Sequence, residues 1–61
     1  MTKAEILAWL ASTRDDHQGW ADYMRAHPDY DPGDMGDAAF HDACVAEYNE
    51  IIQSLERIFD D

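Results

Sequence analysis

The sequence predicts an all-α fold, a hairpin of two amphipathic helices over about residues 3–26 and 35–59, with the option of dimerising into a four-helix bundle. Three observations carry that prediction. Apolar residues recur at helical spacing in both halves of the chain. The stretch between the halves is broken by Pro28, Pro32 and Gly33. No segment alternates apolar and polar residues in the way a half-buried strand would. At 61 residues the chain is one small domain, residues 1–61.

The first helix opens at a capping box. Thr2 can accept from the backbone N–H of Glu5, whose carboxylate can reach back to Thr2, so the helix starts at Lys3. Stepping about 100° per residue, and with Ile6 as origin, Leu10, His17 and Met24 fall within about 40°. Trp9, Thr13 and Trp20 lie on the other flank within about 60°, and Leu7 and Ala21 widen the same side. The phase holds from Ile6 to Met24, which predicts one continuous helix to about Ala26 despite the cost of Gly19. The alternative is a break in Ala11-Ser12-Thr13-Arg14-Asp15-Asp16, with Ser12 or Thr13 capping a second segment. Pro28 disfavours helical geometry at His27 and ends the helix. The connection runs from Pro28 to about Asp34, with Pro32-Gly33 as its turn.

Asp34 or Asp37 can cap the second helix. Cys44, Tyr48, Ile51, Leu55 and Ile58, with Val45, Ile52 and Phe59 beside them, form an apolar sector about 140° wide. Asp42, Glu47, Glu50, Glu56 and Asp60 project from the remaining arc. One face is apolar and the other acidic.

Fourteen acids against four bases give a formal net charge of −10. The asymmetry is regional: residues 1–27 sum to −1, Asp29 and Asp31 add −2, and residues 34–61 sum to −7. A hydrophobic content of 46% is too high for a disordered acidic tail, so the chain is expected to fold and carry a strong negative field. Such a field repels nucleic acid and anionic membrane, and it favours a basic protein surface as partner. Asp60, Asp61 and the terminal carboxylate oppose the dipole of the second helix, whereas Asp34 and Asp37 support it. The acids admit two readings, solubility or contact with that basic surface. A single cysteine, Cys44, rules out an internal disulfide and fits a reducing, cytoplasmic setting. The N-terminus is not expected to act as a signal peptide, acids interrupt every apolar run, and the chain is expected to be a complete short open reading frame.

Neither a metal, a cofactor nor catalysis is expected. Asp29-x-Asp31 opens like a calcium loop, but its fifth, sixth and twelfth positions are Gly33, Asp34 and Phe40, where the motif requires a ligand, glycine and glutamate. His41 and Cys44 stand one turn apart with only His27 nearby, short of the four ligands of a closed zinc site, and Cys44 is expected in the core. No nucleophile is paired with a base at recognisable spacing, and His17 is expected to be a partly buried histidine. Two helices are not expected to enclose a pocket of the ~300 Å³ that small ligands need. Trp9, Trp20 and Tyr23 form an aromatic edge, expected either in the core against the second helix or at a homodimer seam, with a protein-contact surface as the alternative.

The residues left over are the acids Asp29, Asp31, Asp34, Asp37, Asp42, Glu47, Glu50 and Glu56. The second helix and its cap carry eight acids over 28 residues, or about 40 Å at 1.5 Å per residue. That is one charge per roughly 5 Å, sparser than the one per ~1.7 Å of duplex DNA. In being very short, acidic, helical and free of motifs, the chain resembles the small anti-CRISPR and anti-restriction proteins of phages and mobile elements. The resemblance is one of type and transfers no residue role. It implies a stoichiometric inhibitor without chemistry of its own, acting in a host bacterial cell. Such an inhibitor occupies the nucleic-acid site of a defence complex, such as a CRISPR effector subunit, by partial DNA mimicry. The alternative is a homodimeric interaction or regulatory module whose apolar and aromatic stripe binds the partner while the acids only solubilise.

Overall fold

A computed structural model describes residues 1–58; the expectations for Phe59, Asp60 and Asp61 lie outside the described residues. Helix α1 spans Lys3–Ala26 and helix α2 spans Ala38–Ile58, joined by a connection that contains one 3-10 turn at Gly33–Met35. The two helices pack side by side as a hairpin, a rod of 48 × 19 × 17 Å. Its length follows from the helices, because 24 residues at about 1.5 Å each give roughly 36 Å before the connection is added.

Each boundary has a local cause. Thr2 Oγ1 accepts from the Glu5 N–H at 3.1 Å, and Glu5 Oε1 accepts from the Thr2 N–H at 3.0 Å, so the capping box is formed. The Thr2 backbone N–H first, and the Thr2 hydroxyl second, favour the ionised Glu5 carboxylate and hold it below its ordinary pKa. A depressed carboxylate contributes stability above its unfolded pKa and loses it as pH falls through the folded one, so the box weakens only in acid. Helix α1 is continuous through Gly19, without the break near Ser12; the Thr13 hydroxyl instead bonds back to the Trp9 carbonyl at 2.9 Å. His27 closes α1 with non-helical backbone, as the following proline favours, and still donates its N–H to the Tyr23 carbonyl.

The connection is ordered by short-range bonds. Tyr30 N–H donates to the His27 carbonyl, Asp31 Oδ1 accepts from Gly33 N–H, and Met35 N–H donates to the Pro32 carbonyl. Of the two candidate caps, the structure uses Asp37, whose Oδ1 accepts from Phe40 N–H at 2.9 Å. The second helix therefore begins at Ala38, three residues later than about residue 35, because Gly36 at φ 89°, ψ 153° interrupts the path. That conformation is essentially reserved for glycine. A Cβ at Gly36 would also run into the Phe40 ring. Gly36→Ala is expected to cost about 1–3 kcal/mol, read as a lower denaturant midpoint, with strain and clash acting together. An unchanged midpoint would mean that the cap geometry does not matter.

The core is thin. Its buried side chains are Leu10, Ala21 and Met24 from α1 and His41 from α2. Ile6, Leu7, Val45, Tyr48, Ile52 and Leu55 are half-buried around them. Three polar contacts pin the helices: Arg25 pairs with Asp42 near the connection, His17 meets His41 in the middle, and Arg14 Nη1 donates to Asn49 Oδ1 at 3.0 Å further along. No described helix is long and apolar enough to cross a membrane.

Candidate functional site

The eight acids divide by what they bond. Asp31 is tied to the turn at Gly33, Asp37 caps α2, and Asp42 forms the ion pair with Arg25. Asp29, Asp34, Glu47, Glu50 and Glu56 are exposed and make no side-chain hydrogen bond or ion pair among the described residues. Only Arg14–Asp15 and Arg25–Asp42 form ion pairs there, so most of the negative charge is uncompensated. The unpaired acids run from the connection along the outer arc of α2, set by residue spacing rather than by contacts.

The tryptophans are not in the hairpin core. Trp9 is 58% exposed and Trp20 39%. The strip of α1 that meets α2 is centred on Leu10 and Ala21, about 40–60° to one side of Ile6, while both tryptophans lie about 40–60° to the other. A single neighbouring helix covers only the first side. Tyr23 is also exposed, at 42%.

What covers part of this edge is Tyr30, from the connection. Its ring stacks on Trp20 (centroids 6.2 Å apart, 27° between planes) and meets Tyr23 edge-on at 5.2 Å. Its hydroxyl reaches Met35 Sδ at 3.5 Å. Trp20 and Tyr23 are edge to face at 5.9 Å, and Tyr23 in turn stacks on His27 at 4.1 Å. These rings wall an open groove of about 610 Å³, lined by Asp15, Asp16, Gly19, Trp20, Tyr23 and Tyr30. The sequence reading expected no enclosed pocket for small ligands, and this groove is open to solvent. The concavity comes from the folded-back connection, not from the helix pair.

The sequence reading weighed His41 only as a zinc ligand and did not place it in the core, where it is the most buried residue of α2 at 4% exposure. Its Nδ1 lies 2.7 Å from Nδ1 of half-buried His17. One nitrogen donates and the other accepts, so a single proton lies between them. Tyr48 stacks on His17 at 5.8 Å and Phe40 meets His41 edge-on at 5.2 Å. Nε2 of His41 is buried without a partner. The tautomer in which His41 donates leaves that atom a bare acceptor and avoids burying an unpaired N–H. The signal was present: His41 precedes Tyr48 by seven residues, as Leu10, His17 and Met24 are spaced by seven on α1. A polar pair inside an apolar stripe fixes register between two helices. His17 itself is half-buried, as its position on the apolar side of α1 implied. Cys44 is half-buried one turn from His41. Among the described residues, no three His, Cys, Asp or Glu side chains converge to hold a metal ion.

No family model, no curated protein and no solved structure matches this chain.

Proposed function

We propose that the protein is a small acidic inhibitor that binds a basic, nucleic-acid-handling surface of a partner protein. In this role it is akin to phage-encoded anti-CRISPR and anti-restriction proteins, and it acts by partial mimicry of DNA charge. The observation that supports the reading is the run of uncompensated acids, Asp29, Asp34, Glu47, Glu50 and Glu56, on a chain of net charge −10. Asp31, Asp37 and Asp42 shape the turn, the helix start and the hairpin, and add to the field while doing so. A negative field of this kind speeds and orients encounter with a positive groove more than it adds static affinity. The test is capture from a bacterial lysate on the immobilised protein at low and high salt, with mass spectrometry of the eluate. The expected captive is a nucleic-acid-binding protein released by raised salt and by added duplex DNA. Captives indifferent to both would remove the reading.

A second reading has its own observation. Trp9, Ile51 and Ile58 are 58%, 45% and 69% exposed, a large apolar share for so thin a hairpin. They suit a homodimeric or partner-binding stripe. Under that reading light scattering gives a dimer and Trp9→Ala gives a monomer of unchanged helicity; under the first reading, partner capture survives Trp9→Ala.

A further inference from the structure

We propose that the groove walled by Trp20, Tyr23 and Tyr30 is a receptor for an arginine side chain presented by the basic partner. The proposal rests on the reading of a basic partner and names the contact that anchors it. Three aromatic rings lie within 5.2–6.2 Å of one another, and the same groove is lined by Asp16, with no bond to its carboxylate among the described residues, and by Asp15, which already holds Arg14. Aromatic faces attract cations, and carboxylates beside them add a charge-assisted hydrogen bond. A guanidinium suits both at once, because it is planar enough to lie on a ring and carries a fork of N–H donors for a carboxylate. A lysine ammonium does only the second well.

The chain has no cation of its own to fill the site. Arg14 is held by Asp15 Oδ1 and Asn49, and Arg25 by Asp42. Lys3 is seventeen residues from Trp20 along α1, about 25 Å at 1.5 Å per residue, and Arg57 sits in the last turn of α2 at that same far end. Asp16 is exposed and makes no side-chain bond among the described residues, so its carboxylate is available. Gly19 leaves the groove floor open, since a Cβ there would meet nothing within 4 Å.

The experiment uses the full chain with Trp9→Phe, so that Trp20 is the only fluorophore of its kind. A glycine-flanked peptide with one arginine is titrated at about 0.15 M salt, where charges more than ~8 Å away are largely screened. Matched peptides carry citrulline or lysine in its place, and choline serves as a small cation. The arginine peptide is expected to change Trp20 emission saturably, with the citrulline peptide at least tenfold weaker and lysine and choline weaker by several-fold. Tyr30→Leu and Asp16→Asn are each expected to weaken the arginine peptide about two- to fivefold. Tyr30→Phe, which keeps the ring, restores binding, and circular dichroism confirms helicity in each variant. Glu47→Lys with Glu56→Lys, on the outer arc of α2, leaves peptide binding unchanged. Equal binding of the citrulline peptide, equal binding of choline, or no effect of Tyr30→Leu overturns the proposal. The two readings fail separately. Loss of partner capture on reversing α2 acids, with Tyr30→Leu silent on the peptide, sinks the groove alone. A specific arginine site on a protein that captures no nucleic-acid-binding partner sinks the wider function alone.

Discussion

Leu10→Ala is expected to lower the melting temperature by roughly 10–30 °C and leave the chain partly unfolded at 37 °C. Leu10 is 5% exposed and is the largest aliphatic side chain among the buried residues, the others being Ala21, Met24 and His41. Truncating a buried leucine costs about 2–5 kcal/mol in lost transfer energy and cavity formation. A 61-residue domain has roughly 3–9 kcal/mol in total, so at mid-range this one side chain accounts for about half of it. In domains of this size each kcal/mol shifts the melting point by about 4–8 °C. Trp9→Ala is the contrast. It removes more atoms, but from a side chain 58% exposed, and is expected to shift melting by no more than a few degrees. Thermal melts followed by far-UV circular dichroism check both. A Leu10→Ala melt superimposable on the parent, or a Trp9→Ala melt lower than that of Leu10→Ala, would place the core on the wrong side of α1.

Reversing Asp34, Glu47, Glu50 and Glu56 to lysine together is expected to weaken partner binding about a hundredfold or more while helicity stays as it was. Each reversal adds two charges, so the formal net charge moves from −10 to −2. None of the four makes a side-chain hydrogen bond or ion pair among the described residues, so the fold loses no contact. Asp37 and Asp42 are excluded because one caps α2 and the other pairs with Arg25, and changing them would mix folding with binding. Steering by several exposed charges changes association rates by one to three powers of ten, most at low ionic strength. The loss should accordingly fall mainly on the association rate and shrink as salt rises. Surface plasmon resonance of the captured partner at two salt concentrations reads both. A variant that binds as tightly and as fast as the parent would leave the acids with solubility as their only role.

The two helices and the turn between them were legible because their signals are local. Periodicity carries α1 from Ile6 to Met24, Pro28 stops it, and Thr2 with Glu5 starts it. Asp37 as the cap of α2 was one of two candidates, and the choice fell to Gly36, whose left-handed backbone no pattern of side chains announces. Sorting residues into apolar and polar hid His41, since a histidine inside an apolar sector is scored against burial even where a second histidine waits across the helix pair. The same sorting grouped Trp9 and Trp20 with the hairpin core or a dimer seam, and the hairpin core does not take them up. Hydrophobic character gives the side of a helix but not how wide a strip one neighbour covers. The groove was out of reach for a different reason. Tyr30 reaches Trp20 and Tyr23 only because the connection folds back, a tertiary outcome with no spacing rule behind it. Among the acids, the sequence counted charge correctly and offered Asp37 as one of two caps, but could not separate Asp31 and Asp42, which the fold also uses, from those it leaves in water.

The central claim is that the acids take the place of nucleic acid on a basic partner. The most direct measurement is a displacement titration: the captured partner is loaded with fluorescent duplex DNA, and anisotropy is followed as the protein is added. The account predicts that DNA is released to completion as the partner sites are filled by the protein, and that the four-lysine variant releases little. Simultaneous binding of protein and DNA to the partner, with anisotropy unchanged at saturation, would contradict it.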